Sequence, residues 1–378
     1  MEEGKDSVTA GKAGHARVLP FRFLKFLLLF LVLCFGFSIF SFNMFGYLGV
    51  RIVLPPTDSS FNRCLEEPRN LEAWVKAPSS LLHTMNDTEL LWRASFVPRI
   101  SKYPFRRVPK IAFMFLVRGP LPLAPLWERF FKGHVGLYSI YIHSLPSYKP
   151  NYSPTSVFYR RQIPSQVAEW GRMSMCDAER RLLANALLDL SNEWFILLSE
   201  ACIPLRNFTT VYHHVSASRH SFMGSFDENG PYGRGRYDLR MLPEVRLSDW
   251  RKGSQWFEVS RELAVMIVED TYYYPKFEKF CRPACYVDEH YFPTMLTIKV
   301  PGMLANRTLT WVDWSRGGAH PAAFGKADIK KEFFEKKFAS QSCTYNSQPS
   351  SLCLLFARKF SPSALAPLLE VSSEVFGF

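Results

Sequence analysis

The chain has 378 residues, of which 47% are hydrophobic, 15% aromatic and 21% charged. This composition excludes a mainly disordered chain and allows either one large domain or two small ones. A formal net charge of +12 indicates an anionic partner, such as nucleic acid, a membrane surface or a phosphorylated ligand. The distribution of this charge along the chain has to decide among these partners.

An uncharged stretch rich in Leu and Phe covers residues 26–50, after a basic tail formed by residues 1–25. About 20 apolar residues span a bilayer as a helix, whereas the apolar part of a cleaved signal peptide has about 7–15. A cleaved signal or a buried core helix are the alternatives, but the length of the stretch favours an uncleaved anchor. The basic tail then stays cytosolic, which predicts a type II protein with a lumenal body. A lumenal body makes nucleic acid a poor partner and favours an anionic small molecule or a glycan.

Cysteines and glycosylation sequons agree with a lumenal body. Seven of the eight cysteines follow residue 50, where an oxidising compartment permits disulfides. Because seven is odd, at least one is free or intermolecular; Cys343 and Cys353 could close a short loop, although sequence alone does not give connectivity. Four sequons follow the anchor, and their asparagines are Asn86, Asn151, Asn207 and Asn306.

The lumenal part divides into a proline-rich stem, residues 51–107, and a body, residues 108–378. Within the body, apolar runs alternate with helical periodicity, which predicts an α/β fold with a largely parallel sheet. Such sheets bind ligands beyond the carboxyl ends of their strands, where His143 and Glu200 lie. Strands are predicted at 110–118, 137–144, 156–163, 194–205 and 256–261, and helices at 174–191 (with Ser174 as N-cap), 262–270, 288–296 and 330–339.

Several catalytic signatures are absent from the sequence, including the P-loop, GxGxxG, GxSxG and HExxH. An Asp-x-Asp pair is absent too. Many nucleotide-sugar enzymes use that pair to hold a divalent cation on the diphosphate, because hard cations prefer carboxylate oxygens. The sequence therefore predicts no metal site and no bound cofactor.

Two adjacent carboxylates, Asp288 and Glu289, begin a predicted helix. Neighbouring residues on a helix point to different faces, so one carboxylate can deprotonate a hydroxyl in a pocket while the other caps the helix. The alternative is that both are first-turn acids favoured by the helix macrodipole. Spacing alone favours this alternative.

Two later segments could contact a ligand. Trp311 and Trp314 precede a Gly-Gly loop and could stack on sugar rings, although an ordinary aromatic turn has the same pattern. Between Lys326 and Lys359 there are seven basic and three acidic residues, which could equally form a solvated face. Arg358 and Lys359 differ from the others, because they follow an apolar run. They are predicted to emerge from a buried strand, where they could neutralise a diphosphate.

In their order along the chain, these segments resemble the core-2/I-branching β-1,6-N-acetylglucosaminyltransferases, in particular plant-type relatives. The resemblance runs from about Lys110 to Phe360, and its motifs are KIAFMFLVRG, YSIYIHS, the segment from Trp170 to Ser174, WFILLSEACIPL, KGSQWFEVSRE, VDEHYFPT, VDWSRGGAHP and LFARKF. It implies a GT-A-like, Rossmann-type α/β body that uses a UDP-sugar, behind a Golgi type II anchor. It also implies inversion at the anomeric carbon without a required metal.

The resemblance implies roles for single residues as well. Glu289, in Val-Asp-Glu, matches the catalytic base in the family's Pro-Asp-Glu motif. Lys359, with Arg358 beside it, matches a lysine that contacts the diphosphate, and Trp170 falls near the nucleotide, where animal enzymes carry tyrosine. His143 replaces an aspartate that lies near the uracil.

On the acceptor side, Arg234, Arg236 and Tyr237 match the family's basic cluster, and Asp313 and Arg316 belong to its Asp-x-Ser-basic-Gly segment. The sequence thus predicts a glycosyltransferase in the Golgi membrane, with a UDP-sugar donor, a glycan or glycoprotein acceptor and no nucleic-acid partner. The departures from the family motivate one alternative, a non-catalytic, membrane-anchored glycan-binding protein with the same fold.

Overall fold

The computed structural model describes residues 21–47, 71, 75–98, 100, 102–281 and 285–378. The chain divides into two units, Met1–Arg69 and Asn70–Phe378. In the first unit, helix α1 covers Phe21–Tyr47. The structure describes the side chains of α1 from residue 25 to residue 40. Within the described residues, no helix is long and apolar enough to cross a membrane. The predicted anchor, tail and stem lie partly outside the described residues, so they remain predictions.

The second unit contains the other helices and all strands of the described residues. Its helices are α2 (Asp87–Ala94), α3 (Ala124–Phe131), α4 (Met173–Leu187), α5 (Phe208–Ser216), α6 (Arg261–Glu269), α7 (Tyr274–Phe280), α8 (Val287–Lys299), α9 (Lys331–Phe338) and α10 (Leu365–Val375). Its strands are β1 (Lys110–Leu116), β2 (Tyr138–His143), β3 (Asn192–Ser199), β4 (Ile203–Pro204), β5 (Glu258–Ser260), β6 (Thr310–Val312), β7 (Cys343–Tyr345), β8 (Gln348–Ser350) and β9 (Phe356–Arg358).

A four-stranded sheet with the order β2-β1-β3-β5 forms the centre of this unit. β1 pairs in parallel with β2 and β3, and β5 pairs antiparallel with β3. Residues 111–116 are all buried, as expected for a central parallel strand that is covered on both faces. This architecture confirms the predicted α/β class. The carboxyl ends of β2 and β3 meet at one edge, which places His143 and Glu200 there.

The strand predicted at 156–163 is wrong. This segment forms successive turns, and its only strand-like pairing is an isolated bridge at Gln162. Three of its backbone N–H groups bond to carbonyls three positions earlier, beginning with Ser156, and Arg160 adopts a φ of 55°. These turns direct Phe158 into the core, where it is fully buried. The segment therefore combines turns around Phe158 with a short bridge to β2, next to the buried Ile163.

The helix predicted at 174–191 is present as α4, but Ser174 does not cap it. Arg172 occupies the N-cap position without a side-chain hydrogen bond. The Ser174 hydroxyl instead accepts a hydrogen bond from the backbone N–H of Glu169 at 3.0 Å. Ser174 therefore fixes the loop that precedes α4.

Helix α2 lies in the segment predicted as a stem, yet it packs into the body. Asn86 and Glu89 form a capping box, in which each side chain accepts a hydrogen bond from the other residue's backbone N–H. One face of α2 is apolar, and Leu90 and Ala94 on that face are buried in the core. Burial of these two side chains makes α2 part of the second unit.

A second sheet has the order β4-β9-β6, and it places Arg358 at the end of a strand whose first two residues are buried. This agrees with the prediction that Arg358 and Lys359 emerge from a buried strand. The Cys343–Cys353 disulfide is present as the sequence suggested, and a Cys281–Cys285 disulfide lies just before α8. Two other described cysteines of this unit are free and buried, Cys176 and Cys202.

Glu258 on β5 connects the two sheets. Its carboxylate accepts hydrogen bonds from the backbone N–H of Leu309 at 3.0 Å and from the hydroxyl of Thr310 at 3.1 Å. Complete burial raises the pKa of Glu258 to about 7, although both hydrogen bonds lower it. Between pH 4.5 and about pH 7, the Glu258 carboxyl is therefore protonated in the folded protein and ionised in the unfolded chain.

We expect the Glu258 carboxyl to make the protein less stable as the pH rises. Between the unfolded pKa of 4.5 and the folded pKa of about 7, the folded state binds more protons, so stability falls across this window. The loss attributable to Glu258 should reach about 3 kcal/mol above the folded pKa. Glu258→Gln should remove this share, because glutamine can accept from Leu309 and donate to Thr310. Apparent Tm measured from about pH 5 to pH 8 should therefore decrease less in Glu258→Gln than in the wild type.

The matched control is Glu278→Gln, which removes an exposed carboxyl on α7. Its Tm should follow the wild-type pH dependence. Equal pH dependence of Tm in the wild type and Glu258→Gln would show that Glu258 is ionised in the folded protein.

Candidate active site

Glu289 lies in the first turn of α8 and faces two cations. Its Oε2 atom is 3.6 Å from Nζ of Lys252 and 3.7 Å from Nη1 of Arg236. Burial raises the pKa of Glu289, while Lys252 and Arg236 lower it, and the net shift is upward. A carboxylate with a raised pKa is a stronger base than an exposed one. Glu289 is therefore suited to accept a proton from a hydroxyl.

Asp288, the residue before Glu289 on α8, is buried in the protein. Burial, and next the charge of Glu289, raise the pKa of Asp288 to about 7. Nearby on α4, Glu179 is fully buried and accepts a hydrogen bond from the amide of Gln255 at 2.8 Å, and its pKa is raised well above the usual value by burial and by Asp288. One carboxylate oxygen of Asp288 and one of Glu179 are buried without a partner. Asp288 is thus an internal carboxyl, whereas Glu289 faces the site.

An aromatic wall adjoins Glu289. Tyr286 lies just before α8, and its ring centroid is 4.3 Å from the guanidinium carbon of Arg236. The ring of Trp170 packs edge-on against Tyr286, with 4.8 Å between the two ring centroids. Gly171 has a φ of +74°, and a Cβ atom there would lie 3.2 Å from the Tyr286 ring, so this close approach requires glycine. Trp170, predicted on the nucleotide side, and Arg236, predicted on the acceptor side, therefore belong to one wall beside Glu289.

Two predicted acceptor residues make only local contacts. Arg234 forms a bidentate pair with Asp227, at 2.7 and 2.6 Å. The hydroxyl of Tyr237 donates to the carbonyl of Val245 at 2.7 Å, and its ring packs edge-on against Trp250. Of the predicted basic cluster, Arg236 alone pairs with Glu289 in the described residues.

Asp313 and Arg316 lie in a different place, on the segment that follows β6. Asp313 accepts hydrogen bonds from the backbone of Ser315 at 2.9 Å and from Lys337 at 3.4 Å, and both lower its pKa. Arg316 is exposed, and its guanidinium lies 5.9 Å from the ring of Phe324. No contact in the described residues connects Asp313 or Arg316 to Glu289.

The predicted basic pair, Arg358 and Lys359, lies at the end of β9. The Arg358 guanidinium lies 4.1 Å from the Trp256 ring, its Nε atom has no partner, and burial lowers its pKa. Lys359 is half-buried. Trp256 lies three residues after Gly253, whose backbone N–H donates to the carbonyl of Glu289 at 2.7 Å. The segment from Gly253 to Trp256 thus contacts the backbone of α8 at one end and the Arg358 guanidinium at the other.

His143, at the carboxyl end of β2, is buried and neutral. Its Nε2 atom is 3.1 Å from the guanidinium of Arg181. Burial and the positive charge of Arg181 lower the pKa of His143 to about 3. The structure thus places a neutral imidazole at the carboxyl end of β2, beside the Arg181 guanidinium.

The predicted sequons lie in different local environments. Asn86 and Asn207 are N-caps whose side chains accept backbone hydrogen bonds, and Asn306 accepts from the backbone of Ser225 at 2.6 Å. Asn151 is exposed without such a role in the described contacts. Whether these asparagines carry glycans stays a prediction.

Sequence reasoning gave no role to Lys252 or Glu179. Lys252 begins the segment KGSQWFEVSRE, but its meeting with Glu289 depends on how two distant segments pack. Glu179 was hidden in an amphipathic helical pattern that also fits an exposed acid. Among the described residues, no group of three or more His, Cys, Asp or Glu side chains is arranged to hold a metal ion.

Comparison with known proteins identifies the family. Residues 111–337 match the model of the core-2/I-branching enzyme family. Glycosyltransferase BC10 from rice (Oryza sativa subsp. japonica) is 35% identical over 309 residues, an alignment that covers 70% of this chain and 76% of the rice protein. The chain belongs to the core-2/I-branching enzyme family, and the similarity to the rice protein supports the plant-type branch. It is therefore an enzyme of the glycosyltransferase class, which disfavours the non-catalytic alternative.

Proposed function

We propose that this chain is an inverting, metal-independent glycosyltransferase that transfers a sugar from a UDP-sugar to a hydroxyl group of a glycan or glycoprotein. The observation that carries the proposal is the position of Glu289. It is a half-buried carboxylate with a raised pKa, it faces two cations, and it lies beside an aromatic wall that includes the exposed Trp170 ring.

In the proposed reaction, Glu289 accepts the proton of the acceptor hydroxyl while the hydroxyl oxygen attacks the anomeric carbon from the face opposite the nucleotide. The bond between the anomeric carbon and the diphosphate oxygen breaks, and UDP leaves with the electron pair. Lys252 and Arg236 favour the ionised form of Glu289 before the reaction. Arg358 and Lys359 stabilise the negative charge that develops on the diphosphate.

The proposal includes a GT-A-like fold and a location in the Golgi membrane. Residues 26–50 would form the signal anchor and the body would be lumenal, with a cytosolic tail. Support comes from the apolar run, the basic tail, the sequons and the resemblance to the family.

A binding and transfer screen tests the sugar donor and the metal requirement together. The detergent-solubilised full-length chain is incubated with a panel of UDP-sugars and mixed plant glycans, with and without a chelator. We expect turnover with one UDP-sugar that the chelator does not change. Loss of turnover in chelator, restored by Mn²⁺ or Mg²⁺, would contradict the metal-independent mechanism.

Lys252→Met should shift the pH dependence of transfer. A general base acts only when deprotonated, so kcat/KM falls as the pH decreases through the pKa of Glu289. Lys252 lowers that pKa, and its removal should move the acid limb of the kcat/KM profile upward by about 1 pH unit. The measurement is kcat/KM as a function of pH at saturating sugar donor.

The control for Lys252→Met is Lys299→Met, which removes an exposed lysine from the far end of the same helix. Its acid limb should coincide with that of the wild type. A downward shift, or no shift, in Lys252→Met would show that the acid limb does not report the ionisation of Glu289.

A further inference from the structure

A second charged network connects α2 to the carboxyl end of β2. Arg181 on α4 forms a bidentate pair with Asp87 on α2, with Nε–Oδ1 at 2.6 Å and Nη2–Oδ2 at 2.5 Å. The Arg181 side chain is only 5% exposed. Bidentate guanidinium–carboxylate pairs fix orientation as well as distance, so Asp87 sets the plane of the Arg181 guanidinium.

The remaining nitrogen of Arg181 holds His143. Nη1 of Arg181 lies 3.1 Å from Nε2 of His143, and the backbone N–H of Gln166 is directed to the same Nε2 atom at 3.4 Å. A neutral imidazole can accept at Nε2, in agreement with the lowered pKa of His143. The amide side chain of Gln166 also donates to Oδ2 of Asp87 at 3.2 Å. Gln166 is thus held through its backbone by His143 and through its side chain by Asp87.

Gln166 belongs to the loop at residues 164–172, which leads to the aromatic wall. At the other end of this loop, the Ser174 hydroxyl accepts from the backbone of Glu169. Trp170 and Gly171 lie between Glu169 and Ser174, and they contact Tyr286 next to the α8 helix of Glu289. The loop that carries the Trp170 ring is thus attached to α2 through Gln166, four residues before Trp170.

We propose that α2 is a functional part of the catalytic body and that Asp87 is a positioning residue for the sugar-donor site. Through Arg181 and Gln166 it fixes the loop at 164–172 and hence the Trp170 ring. This inference rests on the proposed function, since it takes Trp170 to contact the nucleotide. Helix α2, whose segment has the composition of a membrane-proximal stem, would then affect the binding of the sugar donor through Arg181 and Gln166.

Asp87→Asn in the full-length chain tests the inference. Asparagine keeps the size of the side chain but loses the charge that holds Arg181. We expect the KM for the UDP-sugar to rise about tenfold while kcat changes little. Trypsin cleavage after Arg172 should accelerate by about the same factor, because the loop opens more often. Asp87→Glu should restore part of the loss, since it keeps a carboxylate.

Glu89→Ala is the matched control, because it breaks the capping box of α2 without touching Arg181. It should lower Tm and leave the KM for the UDP-sugar unchanged. If Asp87→Asn leaves both KM and cleavage at wild-type values, or if Glu89→Ala raises KM equally, the positioning role is overturned. If the wild-type chain binds no UDP-sugar, the proposed function fails first, and the inference fails with it.

Discussion

Glu289→Gln is expected to lower kcat by about 10²–10⁴-fold while leaving the fold and the binding of the UDP-sugar intact. Glutamine has nearly the same shape as glutamate and can still contact Lys252 and Arg236, but it cannot accept the proton of the acceptor hydroxyl. The effect should appear in kcat rather than in the KM for the UDP-sugar, because the lost interaction exists only during proton transfer. The measurement is steady-state transfer, with Tm as a check on folding.

Two matched variants separate a catalytic base from a helix-terminal acid. Glu262 occupies the first turn of α6, as Glu289 does in α8, but it is exposed. Glu262→Gln should retain full transfer activity. Asp288→Asn changes the neighbouring carboxyl, which is buried and already carries a raised pKa, so its effect on kcat should be far smaller than that of Glu289→Gln. Full activity in Glu289→Gln, or equal losses in the two α8 variants, would contradict the assignment of the base.

The sequence predicted the central sheet because fully buried parallel strands need continuous apolar runs, and residues 111–116 form such a run. It failed at 156–163, where a short group of β-branched and aromatic residues suggested a strand, although the segment forms turns that bury Phe158 and is followed by the buried Ile163. So short an apolar group does not distinguish a strand from turns that bury a few side chains.

In the candidate site, features set by neighbouring residues were predictable from the sequence, whereas contacts between distant segments were not. Neighbouring residues on a helix point about 100° apart, so the different surroundings of Asp288 and Glu289 were predictable from two adjacent residues. The contact of Lys252 and Arg236 with Glu289 depends on three segments that are far apart in the chain. Likewise, the composition of residues 51–107 indicates a spacer, whereas the burial of Leu90 and the pairing of Asp87 arise only when α2 meets the body.

Arg358→Met is expected to reduce kcat/KM by about 10²–10³-fold, because the variant loses a preorganised positive charge at the leaving diphosphate. Arg358 remains charged even though burial lowers its pKa. In the described residues it forms no ion pair, its Nε atom has no partner, and its guanidinium lies 4.1 Å from the Trp256 ring. A half-buried cation that is attracted by the charge of Glu200 but forms no ion pair gains little for folding, so we expect it to be retained for an anion that binds from outside.

Arg358→Met should therefore lower activity without lowering stability. Methionine fills similar space against Trp256 without a charge to desolvate, so Tm of Arg358→Met should equal or exceed that of the wild type while UDP affinity, measured by calorimetry, decreases. Lys336→Met, which removes an exposed charge from α9, should leave both quantities unchanged. If Arg358→Met lowers Tm and binds UDP as the wild type does, then the guanidinium stabilises the fold through its contact with Trp256. The charge on the departing UDP would then have to be balanced by Lys359 or by a metal ion.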